Sequence, residues 1–261
     1  MGNPDLLTPR QLSAFLDLDV TSTIVDVGCG TGSLTSYLVR NCRTRSWAVG
    51  LDIDRDALQR AQSKQEFLAV QAEATRLPVR SDSADLVLCR RLLMNLPGPI
   101  EALREMVRVA KPGGLVAVME PDFLAEHGCS SVPGELDFHR RLLRSTSGGS
   151  DLGFGRKTPT LLKQAGLREI RPMVHAPVVA APGGKRSSSV RESSVRSLVQ
   201  VVRELRDELA KRVGPGAYES FRKEAERLDV VRERQLRRGE YISASSFPLW
   251  IVKGRKPSQG D

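Results

Sequence analysis

The sequence predicts an α/β fold built on a parallel sheet, and three observations predict it. Residues 20–123 alternate short apolar segments with amphipathic ones, the pattern of parallel strands joined by crossover helices. A glycine-rich segment, TIVDVGCGTGSLT at 23–35, contains the first predicted strand and the turn after it. Residues 190–238 carry a long helical pattern before a last apolar segment.

Each element follows from its own pattern. The segment at 84–91 is almost continuously apolar, as expected of a strand covered on both faces. The segment at 98–110 has Pro99 in its first helical turn and is stopped by KPGG. The predicted strands are 23–28, 46–54, 66–74, 84–91, 115–123, 167–179 and 245–256. The predicted helices are 10–18, 33–42, 54–64, 98–110, 135–149, 158–166 and 190–238, the last interrupted at 214–216.

Charge and pattern divide the chain into a core, residues 1–184 and 239–261, and a helical insertion at 185–238. The net charge is +9, and residues 185–240 hold 15 Lys and Arg against 10 Asp and Glu. A basic face of this kind can serve RNA or another anionic partner, although mixed-sign helices usually expose their charges to solvent. The insertion also carries an apolar stripe at helical spacing, which predicts a core-facing side: Val195, Leu198, Val199, Val202 and Leu205.

Composition excludes several classes of protein. The sequence has no run of about 18 apolar residues, so no membrane span is expected. Its first residues lack the basic-then-apolar pattern of a secretory signal. The four cysteines have neither CxxC spacing nor neighbouring histidines, which predicts reduced thiols, no metal site and a cytoplasmic location.

The glycine-rich turn raises the question of its ligand. Gly28, Gly30 and Gly32 form G-x-G-x-G, whereas a dinucleotide fingerprint needs its third glycine where Ser33 stands. Asp26 precedes the turn, and a carboxylate there would repel a pyrophosphate and favour a ligand with an ammonium group. S-adenosylmethionine carries an ammonium and a sulfonium and no phosphate. The alternative is that Asp26 only ties down the loop.

Further acidic residues follow the next two strands. Asp52, at the end of the second strand, can accept hydrogen bonds from both ribose hydroxyls, as it would for NAD or S-adenosylmethionine. Asp54 is a predicted N-cap of the following helix. Glu73, followed by Ala74, can accept from an adenine amino group, or else it is an exposed loop acid.

Five ordered segments together resemble the class I S-adenosylmethionine-dependent methyltransferases. The group most similar contains small-molecule and ubiquinone/menaquinone-type C-methyltransferases. The resemblance implies a Rossmann-like sheet of seven strands, mostly parallel with the last antiparallel. It also implies S-adenosylmethionine as cofactor and a lid formed by the late insertion. The segments are VDVGCGTGSLT, VGLDID, AEATRLP, ADLVLCRRLLMNLP and REMVRVAKPGGLVAVMEPDF.

The resemblance also implies a cofactor site, position by position. The glycine turn is expected to bind the methionine end, and the end of the second strand the ribose. The ends of the second and third strands are expected to contact the adenine, and the end of the fourth strand to lie near the sulfonium. In that order the residues are Asp26, Gly28, Cys29, Gly30 and Gly32; Asp52; Ile53, Glu73 and Ala74; Cys89 and Arg90.

Methyl transfer depends mainly on holding the acceptor atom in line, so a dedicated base is optional. Glu120 and Asp122 in MEPDF are candidates, with an ordinary turn as the alternative. Arg90 or its neighbour Arg91 could pair with an anionic acceptor or with Glu120. We therefore expect a methyltransferase acting on a small molecule. The alternatives are a methyltransferase acting on RNA or protein, and a non-catalytic binding scaffold.

Overall fold

The structure is a computed structural model, and it describes residues 9–42, 46–63, 66–176, 178–181 and 197–258. The strands are β1 (Thr23–Val27), β2 (Trp47–Asp52), β3 (Leu68–Gln71), β4 (Ala84–Arg90), β5 (Ala110–Pro121), β6 (His127–Ser130), β7 (Arg168–His175), β8 (Val178–Ala181), β9 (Ser243–Ser246) and β10 (Leu249–Arg255). The helices are α1 (Pro9–Phe15), α2 (Ser33–Asn41), α3 (Arg55–Gln62), α4 (Pro99–Val109), α5 (Glu135–Thr146), α6 (Thr158–Gln164), α7 (Leu198–Glu204), α8 (Arg206–Arg212) and α9 (Pro215–Arg238).

The main sheet confirms the predicted fold class. Its seven strands lie in the order β3-β2-β1-β4-β5-β10-β7. The first five in sequence pair in parallel, and β10 runs antiparallel to both of its neighbours. The carboxyl ends of β1–β5 therefore meet at one edge, here called the carboxyl edge, opposite the amino edge. The strand order reverses between β1 and β4, which is where open α/β sheets bind ligands.

Two predicted strands are wrong in their bounds, because each divides between two sheets. The segment 245–256 forms β9 and β10, separated by Phe247 and Pro248; proline has no N–H with which to continue a ladder. The segment 167–179 likewise forms β7 and then the first residues of β8, which belongs to another sheet. Strands β6, β9 and β8 form an antiparallel sheet of three. The sequence patterns missed this sheet because its strands have only four residues each.

The KPGG segment is a second correction. It does not lie between α4 and β5, because β5 already begins at Ala110. Ala84 pairs with Ala110 and Leu86 with Leu115, so the register shifts and residues 111–114 bulge from the strand. Helix α4 does end at Val109, next to this segment.

The chain divides into two compact units, one of residues 1–124, 153–176 and 248–261 and the other of residues 125–152 and 177–247. The first contains the seven-stranded sheet and the second contains the three-stranded sheet with α5, α7, α8 and α9. The predicted insertion at 185–238 falls in the second unit, and its residues 185–196 lie outside the described part of the chain. Its action as a lid stays a prediction.

The second unit has an apolar core of its own, formed by α5, α7, α8 and α9. The predicted apolar stripe is confirmed over its described part: Leu198 and Val202 are buried, and Val199 and Leu205 pack against them. Val195 lies outside the described residues. No helix in the described part of the chain is both long and apolar enough to cross a membrane.

The charged surface of α8 and α9 is of mixed sign. Arg212 pairs with Glu208 one turn earlier on α8, and Arg237 pairs with Glu233 on α9. Arg222 contacts acids on both sides of it along α9. These pairs set acids beside the arginines, so the two helices do not present positive charge alone.

Candidate functional site

A cavity of about 370 Å³ opens at the carboxyl edge of the main sheet. It lies beyond the ends of β1, β2 and β3 and beside the segment that follows β4. Five of the predicted cofactor residues line it: Gly28, Asp52, Ile53, Glu73 and Ala74. The other lining residues are Val27, Ala72, Thr75, Leu92, Leu96 and Pro97.

The glycine turn is built by close backbone approach. Gly28, Gly30 and Gly32 all have positive φ. The amide of Gly28 donates to Leu51 O at 2.7 Å, which ties the turn to the end of β2. A Cβ placed on Gly28 would stand only 2.9 Å from Leu92 Cδ1, so the cavity wall packs directly on this glycine.

Asp52 joins the turn to the second strand. Its Oδ2 accepts from Gly30 N at 2.6 Å, and its Oδ1 accepts from Asp54 N at 2.9 Å. The carboxylate is therefore fixed in place at the rim of the cavity. Asp54 is confirmed as the N-cap of α3, because its Oδ1 accepts from the amides of Asp56 and Ala57.

Three of the predicted cofactor residues are buried beneath the turn, outside the described lining of the cavity. Asp26 accepts from Thr35 Oγ1 at 2.6 Å, and burial raises its pKa to about 6 although that bond lowers it. Cys29 packs in a small apolar cluster that includes Leu58. Cys89 is fully buried, and burial, followed by the charges of Glu120 and Asp26, raises the pKa of its thiol well above the usual value.

Gly30, Gly32 and Arg90 also stand outside that lining. Gly32 is the N-cap residue of α2. Arg90 is half-buried at the end of β4, and its charge lowers the pKa of Asp26, an effect smaller than that of burial. The cavity thus brings together the residues predicted for ribose and adenine, with Gly28 from the predicted methionine end.

The two candidate carboxylates are both inside the protein. Glu120 is fully buried, and its Oε1 accepts from the amides of Leu92 and Leu93, each at 2.8 Å. Burial raises the pKa of Glu120 to about 7 against the effect of these amides. Asp122 is also buried, and it accepts from Arg156 Nη2 at 2.7 Å and from Arg156 Nε. Neither carboxylate belongs to the described lining of the cavity.

The wall that sequence reasoning missed is the apolar segment after β4. Leu92, Leu96 and Pro97 stand in the motif that carried the resemblance, yet no contact was assigned to them. The available signal is composition: LLMNLP is mostly apolar although it follows a strand, where a connecting loop is usually polar. Among the described residues, no group of three or more His, Cys, Asp or Glu side chains is arranged to hold a metal ion.

Comparison with known proteins gives one family match. A model of a methyltransferase domain matches residues 25–118. The demethylmenaquinone methyltransferase of Staphylococcus epidermidis is 31% identical over 115 residues, which cover 42% of this chain and 48% of the relative. The trans-aconitate 2-methyltransferase of Azoarcus is 27% identical over 164 residues, 63% of this chain and 56% of the relative.

Solved structures share the fold. The YcgJ protein of Bacillus subtilis superimposes with a TM-score of 0.58 at 14% identity, over 96% of this chain and 98% of that one. The chain spans about half the length of these two relatives. Together the family match and the relatives confirm the resemblance that the five sequence motifs indicated.

Proposed function

We propose that this chain, which carries a class I S-adenosylmethionine-dependent methyltransferase domain, transfers a methyl group from S-adenosylmethionine to a small-molecule acceptor. The observation that carries the proposal is the cavity at the ends of β1, β2 and β3. It combines an acidic rim at Asp52 and Glu73 with apolar walls. Its volume falls in the range of small-molecule sites.

The lining suits S-adenosylmethionine better than a dinucleotide. Asp52 is held by two backbone amides in a position to accept hydrogen bonds from a ribose. Ile53, 65% exposed, offers an apolar surface to a flat base beside Glu73. Asp52 would serve either cofactor, but Asp26 behind the turn disfavours the negative charge of a pyrophosphate. These features support the cofactor, and the glycine turn supports close approach of its tail.

The chemistry places modest demands on the protein. S-adenosylmethionine supplies a methyl group on a sulfonium, which is already a good leaving group. What the chain contributes is orientation and exclusion of water at the carboxyl edge. Glu120 and Asp122 are buried and engaged with Leu92, Leu93 and Arg156, so we assign neither of them the role of a base.

Two observations favour a small-molecule acceptor. The relatives are named for demethylmenaquinone and trans-aconitate, both small molecules. Arginines of α8 and α9 pair with acids on the same helices, which weakens the case for an RNA-binding face.

Calorimetry with S-adenosylhomocysteine tests the cofactor. The wild-type chain should bind it and should not bind NAD. Asp52→Asn should raise the Kd about tenfold, the equivalent of about 1.4 kcal/mol, because Asp52 lines the cavity. Asp54→Asn is the matched control: Asp54 is the next acid along the chain, and asparagine also caps helices, so its Kd should match the wild type. No heat with S-adenosylhomocysteine, or equal effects of both variants, would contradict the assignment.

Labelled-methyl transfer tests the acceptor. The protein is incubated with methyl-labelled S-adenosylmethionine and a cell extract, and the products are separated into small-molecule, RNA and protein fractions. Label should appear in the small-molecule fraction. Label in RNA or protein would replace the proposed acceptor class, and no label in any fraction would favour a binding scaffold.

A further inference from the structure

Residues 91–97 form the wall of the cavity that packs against the glycine turn. Leu92, Leu96 and Pro97 line the cavity. Leu92 also packs against Gly28, where a Cβ would stand 2.9 Å from Leu92 Cδ1. A small displacement of Leu92 would therefore alter both the width of the cavity and the packing of the turn.

This segment has little regular structure of its own. It contains a single 3₁₀ turn, Leu93–Asn95. It begins at Arg91, whose φ of 53° is left-handed and unfavourable for a residue with a side chain. Such a conformation persists when the surrounding contacts determine it. The position of the wall must therefore come from its neighbours.

Strand β5 supplies those contacts. Arg91 N donates to Met119 O at 2.9 Å. The next two amides, of Leu92 and Leu93, donate to a single oxygen, Glu120 Oε1, each at 2.8 Å. Three consecutive amides of the wall are thus bound by two consecutive residues of β5. Because Glu120 is fully buried, water does not compete for these bonds.

We propose that Glu120 is a positioning residue for the cofactor: its Oε1 fixes Leu92 and Leu93 and so holds the apolar wall of the cavity against the glycine turn. The inference rests on the proposed cofactor and deepens it. Glu120 is not a catalytic residue, because it is fully buried and lies outside the described lining of the cavity. Its other oxygen, Oε2, has no hydrogen-bond partner among the described residues, so Oε1 carries the bonds to the wall.

The same sheet offers a matched control at its opposite edge. Asp85, at the start of β4, also accepts two consecutive backbone amides on one oxygen, from Ser22 at 3.1 Å and Thr23 at 2.9 Å. It therefore repeats the pair of amide bonds of Glu120 away from the cavity, with Lys111 bound to its other oxygen. Comparing Glu120→Ala with Asp85→Ala separates an effect on the wall from a general loss of stability.

Calorimetry with S-adenosylhomocysteine and amide hydrogen exchange are the two measurements. Glu120→Ala should raise the Kd about tenfold or more and speed exchange at residues 92 and 93. Asp85→Ala should leave the Kd unchanged and speed exchange at residues 22–23. Glu120→Gln keeps an acceptor oxygen of the same reach, so it should restore binding to within about threefold of the wild type.

The outcomes are decisive in each direction. Wild-type affinity in Glu120→Ala with faster exchange at residues 92 and 93 would overturn the proposal, as would equal weakening by Asp85→Ala. Failure of Glu120→Gln to restore binding would also overturn it. If Glu120→Ala does not fold, Glu120→Asp, one methylene shorter, replaces it with the same expectations. A wild-type chain that binds no S-adenosylhomocysteine would refute the proposed function instead.

Discussion

The two edges of the main sheet use the same residue types in opposite ways. At the amino edge the carboxylates are bound to cations: Asp85 to Lys111 at 2.6 Å, and Asp17 to Arg255 at 2.7 Å. At the carboxyl edge Asp26 and Glu120 are buried and are held by neutral partners, a hydroxyl and two amides. The amino edge holds these carboxylates in ion pairs, whereas the carboxyl edge holds Asp26 and Glu120 by neutral partners and only Asp122 by an arginine, Arg156.

Their pKa values show the difference. At Asp85 burial raises the pKa, but the bonds from Lys111 and from the amides of Ser22 and Thr23 outweigh it and lower the pKa overall. At Asp26 and Glu120 burial prevails, and the pKa values rise to about 6 and about 7. Groups with shifts of this second kind concentrate at functional sites. The comparison therefore supports the proposed site at the carboxyl edge.

The largest expected difference between the edges concerns their glycines. Gly32 and Gly113 have nearly equal φ values, 71° and 75°. A Cβ on Gly32 would stand 2.2 Å from Phe67 Cζ, whereas on Gly113 its nearest neighbour, Ser258 Oγ, is at 3.6 Å. Gly32→Ala should lower the free energy of unfolding by about 4 kcal/mol, since overpacking adds to the left-handed strain. Gly113→Ala should lower it by about 1 kcal/mol. Denaturant titration measures both, and equal losses would contradict the comparison.

The second difference is the pH dependence of stability. Because the folded-state pKa of Glu120 is raised from 4.5 to about 7, the native protein holds more protons than the unfolded chain in that interval. The protonated form of Glu120 therefore contributes to the free energy of unfolding at low pH. This contribution is lost as pH rises from about 4.5 to about 7. At about 1.4 kcal/mol per pH unit the loss is about 3 kcal/mol. Asp26 adds to it over its own interval.

Asp85 has the opposite sign. Its folded-state pKa is lowered, so its contribution is present above the unfolded value of 3.8 and is lost as pH falls below it. Denaturant unfolding across about pH 3 to about pH 8 should therefore show that Glu120→Gln flattens the decline toward neutral pH, while Asp85→Asn flattens the acid limb. If either variant alters the other's limb, the two edges are not independent.

The third difference compares two arginines. Arg156 binds Asp122, whose side chain is only 2% exposed, through two bonds. Arg156→Ala would leave a buried carboxylate without this partner and should lower the free energy of unfolding by about 2 kcal/mol, reduced from the fully buried case because Arg156 is half-exposed. Arg255→Ala should lower it by about 0.5 kcal/mol, since Asp17 keeps Lys253. Thermal unfolding of both variants at one pH measures the ratio.

The first half of the main sheet could be predicted from the sequence, and the candidate site could be predicted in part. Periodicity and the glycine turn located β1 to β4, and the acids after β2 and β3 located two walls of the cavity, because these signals are local. The wall at Leu92 and the roles of Glu120 and Asp122 were not predictable. They depend on which amide or guanidinium meets a carboxylate, and residues 27 to 34 positions apart along the chain make those contacts. The four-residue strands β6, β8 and β9 are too short for a period to be recognised.

Replacing Lys111 should have a small effect on the free energy of unfolding, but it tests the contrast between the two edges directly. Lys111→Met keeps the aliphatic stem and removes the charge, so an exposed pair should lose only about 0.5 kcal/mol at neutral pH. The informative quantity is the acid limb: Lys111 makes the largest contribution that lowers the pKa of Asp85, so the limb should move to higher pH. Lys256→Met, which removes the neighbouring pair with Asp82, should leave that limb in place. If the limb in Lys111→Met stays in place as well, the amides of Ser22 and Thr23 suffice to keep Asp85 ionised. The edges would then differ by burial alone, because Glu120 accepts two amides in the same way and still has a raised pKa.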